Sequence, residues 1–315
     1  MTALRSLPPW ASYVLQGLVL TALAVLLFRT VDWAEAARLV TGARPMPLIA
    51  AALMLTFQTL LSALRWRLTA SRLGIALPIE FAIREYYLSQ VVNQSLPGGV
   101  LGDAGRAIRA RGAAGLMASG QAVIFERVAG QLGLLSILVA ALAINAVTPG
   151  GLRWPVAVQN ALWVALGIGL IGAVALFLLN RSVLLGRSLL QFHHAVLAGP
   201  VLAPQVVLSL GTACCNIAAF ALCAAAIGAP LPPVAAAALV PMILFAMVLP
   251  LSISGWGLRE GAAALLFPVA GLSASAGLAA SVAFGLTFLA ITLPGLLMLR
   301  RGPDLAEARQ PEPDP

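Results

Sequence analysis

Residues 188–258 form 71 consecutive positions without Asp, Glu, Lys or Arg. A bilayer core about 30 Å thick takes roughly 20 apolar residues per helix, so this one stretch holds material for more than one membrane span. The chain as a whole is 61% apolar and 10% charged. Soluble domains sit near 45–50% and about 25%, which excludes a water-soluble globular fold.

Charge-free intervals mark further spans at residues 7–28, 45–64, 128–152, 154–180 and 261–299. Pro204, the Gly228-Ala229-Pro230 turn with Pro232 and Pro233, and Pro250 divide the long stretch into a full span over 205–227 and a shorter one over 234–249. Arg65, Arg67, Arg72 and Arg84 follow the second span, Arg181 and Arg187 the fourth, and Arg300 with Arg301 the last. Loops rich in arginine stay on the cytoplasmic side, so both termini are expected there. The first outer loop departs from this pattern: Arg29, Arg38 and Arg44 accompany Asp32 and Glu35. Residues 11–28 run into Arg29 rather than a small-residue cleavage site, so they read as a retained span and not as a signal peptide.

All 19 basic residues are arginine, and lysine is absent. No P-loop or lysine Schiff base can therefore form in this chain. The net charge of +8 is dispersed between apolar stretches, which fits membrane orientation rather than nucleic-acid binding. Cys214, Cys215 and Cys223 share one apolar stretch and form no C-x-x-C pair, so they read as reduced core residues. Adjacent His193 and His194 point about 100° apart on a helix, a poor arrangement for one metal, and read as loop residues. No metal or other cofactor is expected.

Two apolar segments are too short or too broken to read as ordinary spans. Residues 86–101 contain Asn93-Gln94-Ser95-Leu96-Pro97-Gly98-Gly99 and run into Gly102-Asp103-Ala104-Gly105-Arg106. Residues 234–267 contain Leu249-Pro250-Leu251-Ser252-Ile253-Ser254-Gly255-Trp256-Gly257-Leu258-Arg259-Glu260. Both read Leu-Pro, four residues, Gly, then a second Gly and an Arg near a carboxylate. By the arginine rule the first begins and ends on the cytoplasmic side and the second on the outer side. The expected fold is therefore an all-α polytopic membrane protein with six full spans and two opposed re-entrant hairpins in an inverted repeat, a recurring plan of secondary transporters. Residues 1–152 form the first repeat, with its broken segment at 86–111. Residues 153–299 form the second, broken at 234–268, and 300–315 form a disordered cytoplasmic tail. Eight ordinary spans, two of them kinked, are the alternative.

Backbone at membrane depth leaves helical geometry only where it finds protein or water partners, so each break implies a polar cavity. Helices starting near Gly102 and Gly257 would present partial positive charge to an anion, and Arg106 and Arg259 would add a fork that matches phosphate oxygens. Asp103 and Glu260 would hold those arginines without ligand, or exchange protons as a coupling ion. Glu260 is the only carboxylate between Glu126 and Asp304, and an intramembrane ionisable group is a functional candidate by default. The competing interpretation is helix capping, for Arg259 with Glu260 and more strongly for Asp103 with Arg106. Glu126 and Arg127 lie in a long helix expected to begin near Leu116, facing different sides. Asn93, Gln94 and Ser95 read as cavity groups. The candidate binding set is Asn93, Ser95, Pro97, Gly98, Gly99, Asp103, Arg106, Glu126, Arg127, Ser252, Ser254, Gly255, Gly257, Arg259 and Glu260.

Three of these elements, Asn93 to Arg106, Glu126-Arg127-Val128-Ala129-Gly130 and Pro250 to Glu260, resemble signatures of the flippase-like family. That family is the transmembrane region of lysylphosphatidylglycerol synthases/flippases and their stand-alone relatives. The resemblance spans the membrane portion in the right order, with Ser-Gly-x-Gly-x-Arg-Glu its most specific part. It implies a bacterial inner-membrane protein that moves lipids or lipid-linked sugars between leaflets, with anionic headgroups as partners. The fused members' aminoacyl-transferase domain is not expected, since 16 residues follow Leu299. Two other functions remain open at this point: a polyprenyl-phosphate-dependent glycosyltransferase using Asp32 and Glu35, and a small-anion transporter. The lipid and the oligomeric state are not encoded in these motifs.

Overall fold

A computed structural model describes residues 27–95, 100–112, 114–148, 183–248 and 256–297, together with residues 21, 25, 152 and 154. All regular structure among them is helical. A short amphipathic helix α1 (Trp33–Thr41) is capped by Asp32, whose carboxylate accepts from the Glu35 N–H. Helix α2 (Pro45–Arg72) starts on proline, which fits a first turn because its missing N–H would be unpaired there anyway. Helices α3 (Ile79–Ser95) and α4 (Leu101–Arg109) flank the first break, and α5 (Gly115–Val147) follows. Helix α6 (Val183–Phe192) continues as a π-turn (His193–Leu197) into α7 (Gly199–Ala226). Helices α8 (Pro233–Phe245) and α9 (Leu258–Leu266) flank the second break. Helix α10 (Ala274–Thr292), capped by the Ser273 hydroxyl, and the short α11 (Pro294–Leu297) close the described chain.

Among the described residues, four helical segments are long and apolar enough to cross a membrane: Pro45–Arg72, Gly115–Val147, Gly199–Ala226 and Ala274–Leu296. At 1.5 Å per residue a 28-residue helix is about 42 Å long, more than a bilayer core needs. Large apolar side chains cover their outer faces. Met46, Ile49, Leu53 and Phe57 recur at helical spacing on α2, and Ile124, Val128, Leu132, Leu135 and Val139 on α5, all exposed. A water-soluble surface would not carry such patches, whereas a lipid-facing one does. The chain is a multi-pass membrane protein.

Helices α2 and α7 form the central pair and run antiparallel: the Arg44 N–H before α2 donates to the Ala226 carbonyl at the end of α7, and Thr69 near the end of α2 meets Gln205 near the start of α7. One apolar core joins α2, α7, α8, α9 and α10 through Leu55, Phe220, Leu239, Ile243, Leu266 and Phe284. Helix α5 crosses α7 at Gly133, where an added Cβ would sit 2.8 Å from the Ser209 carbonyl oxygen. Gly133→Val is therefore expected to cost about 1–3 kcal/mol through overpacking, seen as a lower Tm of the detergent-solubilised protein.

Several boundaries differ from the sequence expectation. Arg65, Arg67 and Arg72 lie inside α2 and Arg84 inside α3, not in a loop. Span marking by charge-free runs ends a helix at its first charge, but an ion pair lets a helix carry charge onward. Pro204 lies within α7, which begins at Gly199 rather than Gln205. One missing hydrogen bond near a helix start is tolerated when the following turns are packed. His193 and His194 occupy the π-turn, with His194 Nε2 3.2 Å from Arg72 Nη2. Most of the expected spans at 7–28 and 154–180, the tail 300–315, and Pro97, Gly98, Gly99, Ser252, Ser254 and Gly255 lie outside the described residues.

Candidate functional site

The first break brings four helices to one buried ionic network. Glu126 on α5 is fully buried and receives two arginines. Its Oε1 accepts from Arg65 Nε at 3.1 Å and Nη2 at 2.7 Å, and from the Tyr86 hydroxyl at 3.2 Å. Its Oε2 accepts from Arg106 Nη2 at 3.0 Å. Arg106 Nε donates to Asp103 Oδ1 at 3.0 Å, and the Ser89 hydroxyl donates to the same oxygen at 3.0 Å. Half-exposed Arg127 pairs with Asp103 Oδ2. The Arg106 guanidinium lies between the rings of Trp66, 4.9 Å away, and Tyr86, 4.6 Å away. Such faces favour a desolvated cation.

Local sequence explains why these groups can meet. Gly130 lies one turn after Glu126, and a Cβ there would stand 2.7 Å from Arg65 Nη2, so a larger residue would push that guanidinium from its place on Glu126. Gly102 packs directly on the Ser89 carbonyl, and its N–H donates to Asn93 Oδ1 at 2.8 Å. Asn93 thus fastens the start of α4 to the end of α3. Ser95 ends α3 and is exposed. Asp103 does not act as an N-cap, because the α4 cap is Val100 without a side-chain bond. Its carboxylate is turned to Ser89, Arg106 and Arg127 instead.

The second break builds a smaller network on α9 and α10. Arg259 is fully buried and donates from Nε at 3.1 Å and Nη2 at 2.7 Å to Glu260 Oε1. Ser281 bridges the pair, accepting from Arg259 Nε at 2.9 Å and donating to Glu260 Oε1 at 3.0 Å. Glu260 Oε2 accepts the Gly257 N–H at 2.6 Å, and Gly257 has φ +87°, a conformation that glycine takes without strain. The Arg259 guanidinium lies between Trp256 at 5.0 Å and Phe284 at 5.4 Å. Gly285 on α10 leaves the space that this stack fills.

Both networks hold more donors than their carboxylates use. Arg65, Arg106 and Arg259 each keep Nη1 buried without a hydrogen-bond partner among the described residues. The first network sets three arginines against two carboxylates. Such an arrangement suits an anion better than a cation, and no group of His, Cys, Asp and Glu among the described residues could hold a metal. Asp103, Arg106, Glu126 and Arg127 thus come together, as do Gly257, Arg259 and Glu260, and the two sets share no residue.

Arg65, Tyr86, Ser89, Trp66 and Ser281 were not singled out from sequence. Arg65 had a legible signal: it continues the row Gln58, Ser62, Arg65, Thr69 along one face of α2. No curated protein matches the chain. Residues 13–295 match the family described as Lysylphosphatidylglycerol synthase TM region, in agreement with the signatures at 93–106, 126–130 and 250–260, and the chain belongs to that family.

Proposed function

We propose that the chain is a lipid translocase that moves a lipid with an anionic, phosphate-bearing headgroup between leaflets of the bacterial inner membrane. The observation that carries this reading is a device used twice. Helices α4 and α9 are each nine residues long, each follows a break, and each has its carboxylate at the third helical position, Asp103 and Glu260. Each also carries a fully buried arginine between two aromatic faces. Charge inside a membrane protein is expensive and marks ligand or ion paths. In this reading a phosphate takes up the free guanidinium donors and displaces the carboxylates that hold Arg106 and Arg259 in the absence of lipid.

The proposed topology has six spans, with α3–α4 and α8–α9 as opposed re-entrant hairpins and both termini cytoplasmic. Its support lies in the packing. Exchanging α2 with α7, α3 with α8, α4 with α9 and α5 with α10 maps neighbours onto neighbours. Helix α2 packs on α3 and α5 as α7 packs on α8 and α10; α4 lies on α5 as α9 lies on α10; α8 meets α5 as α3 meets α10. The equivalent helices α2 and α7 run antiparallel, as an inverted repeat requires. Transport rather than catalysis is favoured because Asp32 caps α1 and Glu35 accepts from the Ser273 hydroxyl at 3.1 Å, so both outer-loop carboxylates have structural duties.

In reconstituted vesicles, a fluorescent anionic phospholipid is expected to cross faster with the protein than without it. Arg106→Gln and Arg259→Gln should each slow movement on the order of tenfold, the factor that about 1.4 kcal/mol of lost binding commands. Equal movement with and without protein refutes the reading. Ser95→Cys and Ser254→Cys, each in a cysteine-free background, should be labelled from opposite faces. Labelling from one face would leave the eight-span topology.

A further inference from the structure

Helices α2 and α7 meet along two polar rows that the ionic networks use only at Arg65. On α2 the row is Gln58, Ser62, Arg65 and Thr69, spaced four, three and four apart and so on one helix face. All four are buried. On α7, Gln205, Ser209, Thr212 and Asn216 repeat the same spacing, the first three buried and the last half-buried. Gln205 Nε2 donates to Thr69 Oγ1 at 2.9 Å, and a Cβ on Gly211 would lie 3.1 Å from Leu61 Cδ1. This antiparallel register sets Arg65 across from Ser209, Ser62 from Thr212, and Gln58 from Asn216.

Three observations separate these rows from ordinary helix glue. First, the rows scarcely bond to each other: Gln58 Nε2 donates to Ser62 Oγ, Thr69 Oγ1 to the Arg65 carbonyl and Thr212 Oγ1 to the Leu208 carbonyl, each within one helix, and Gln205 to Thr69 is the one side-chain bond from row to row. Polar side chains that hold membrane helices together bond across the interface. Second, Gln205 Oε1 and Arg65 Nη1 are buried without partners among the described residues. Third, the seam changes character beyond Gln58. From there toward the start of α2 it is closed by Ala51 and Leu55 against Ala219, Phe220 and Cys223. The polar half covers about 16 Å of α2 at 1.5 Å per residue, from mid-helix to the end near Arg72.

We propose that this half-seam is the inlet for the polar headgroup, shut in the present conformation and sealed at its far end by the apolar half. The inference rests on the translocase reading and adds a path to it. The two rows contain amides, hydroxyls and one guanidinium and no carboxylate, which suits a phosphate-bearing headgroup. Because a single side-chain bond, Thr69 with Gln205, joins the two rows directly, the helices part at the expense of that bond. A headgroup drawn in reaches Arg65, which already holds Glu126.

Two measurements on the full-length chain test this, with Cys214→Ser, Cys215→Ala and Cys223→Ala as background. Ser62→Cys and Thr212→Cys are each expected to react with a charged, membrane-impermeant thiol reagent on the order of tenfold faster than Leu55→Cys or Ala219→Cys, since thiol reactivity follows access to water. Equal rates at all four positions overturn the inlet. A cleavable thiol cross-linker joining Leu61→Cys to Gly211→Cys should stop anionic-lipid movement in vesicles, and cleaving it should restore movement. Undiminished movement in the cross-linked protein also overturns the inlet. If the protein without cross-linker moves no lipid, the translocase reading fails, and the labelling contrast alone decides whether the seam opens to water.

Discussion

Replacing Glu126 with glutamine is expected to lower stability by about 3–5 kcal/mol, the range for removing one partner of a buried ion pair. Glu126 is fully buried and is the only carboxylate that Arg65 touches in the described network. Without its charge, Arg65 remains inside the helix bundle with no counter-ion, and the Tyr86 hydroxyl loses its charged acceptor. Arg106 suffers less, because Asp103 and two aromatic faces remain. The check is thermal unfolding in detergent followed by tryptophan fluorescence. Arg65→Met combined with Glu126→Met should recover most of the loss, since replacing a buried pair with apolar groups of similar size is often nearly neutral. A double variant as unstable as Glu126→Gln would show that the network is needed as a whole.

The second large effect is at the other break, and there stability and transport should part company. Glu260→Ala leaves fully buried Arg259 with Ser281 as its remaining hydrogen-bond partner among the described residues and also frees the Gly257 N–H. A loss of about 3–5 kcal/mol is expected for the same reason as at Glu126. Arg259→Met also leaves a buried charge, Glu260, without its counter-ion but should cost less. Glu260 then keeps the Gly257 N–H and the Ser281 hydroxyl, and a flexible apolar chain can fill the slot between Trp256 and Phe284. If Arg259 serves only to hold α9 in place, Arg259→Met will retain lipid movement along with its stability. The translocase reading expects a folded protein that moves lipid on the order of tenfold more slowly or worse.

The asymmetry between the two networks bears on where the sequence was readable. Asp103 and Glu260 occupy the same position in their short helices, and the glycine and proline breaks before them are visible as motifs. Their arginines come from different positions, Arg106 a turn later and Arg259 one residue earlier. Sequence comparison of the two breaks therefore looks loose although the packing around them corresponds closely. Arg65 was hidden by a simple rule: charge at the end of an apolar run reads as a loop. Its partner Glu126 is 61 residues away, and nothing local signals that pairing.

From the sequence alone followed the membrane class, the helical fold and the positions of the two breaks. These depend on the solvent and on local chemistry: long uncharged runs cannot stay in water, and glycine with proline cannot continue a helix unnoticed. Only the tertiary structure decided which charge meets which, that Arg65 belongs inside, and that the rows on α2 and α7 face each other. Those facts depend on helix–helix register and on close approaches at Gly130, Gly133 and Gly285, where a single missing Cβ determines what fits. Distances between helices are set by packing across the whole bundle, and no window of sequence contains them.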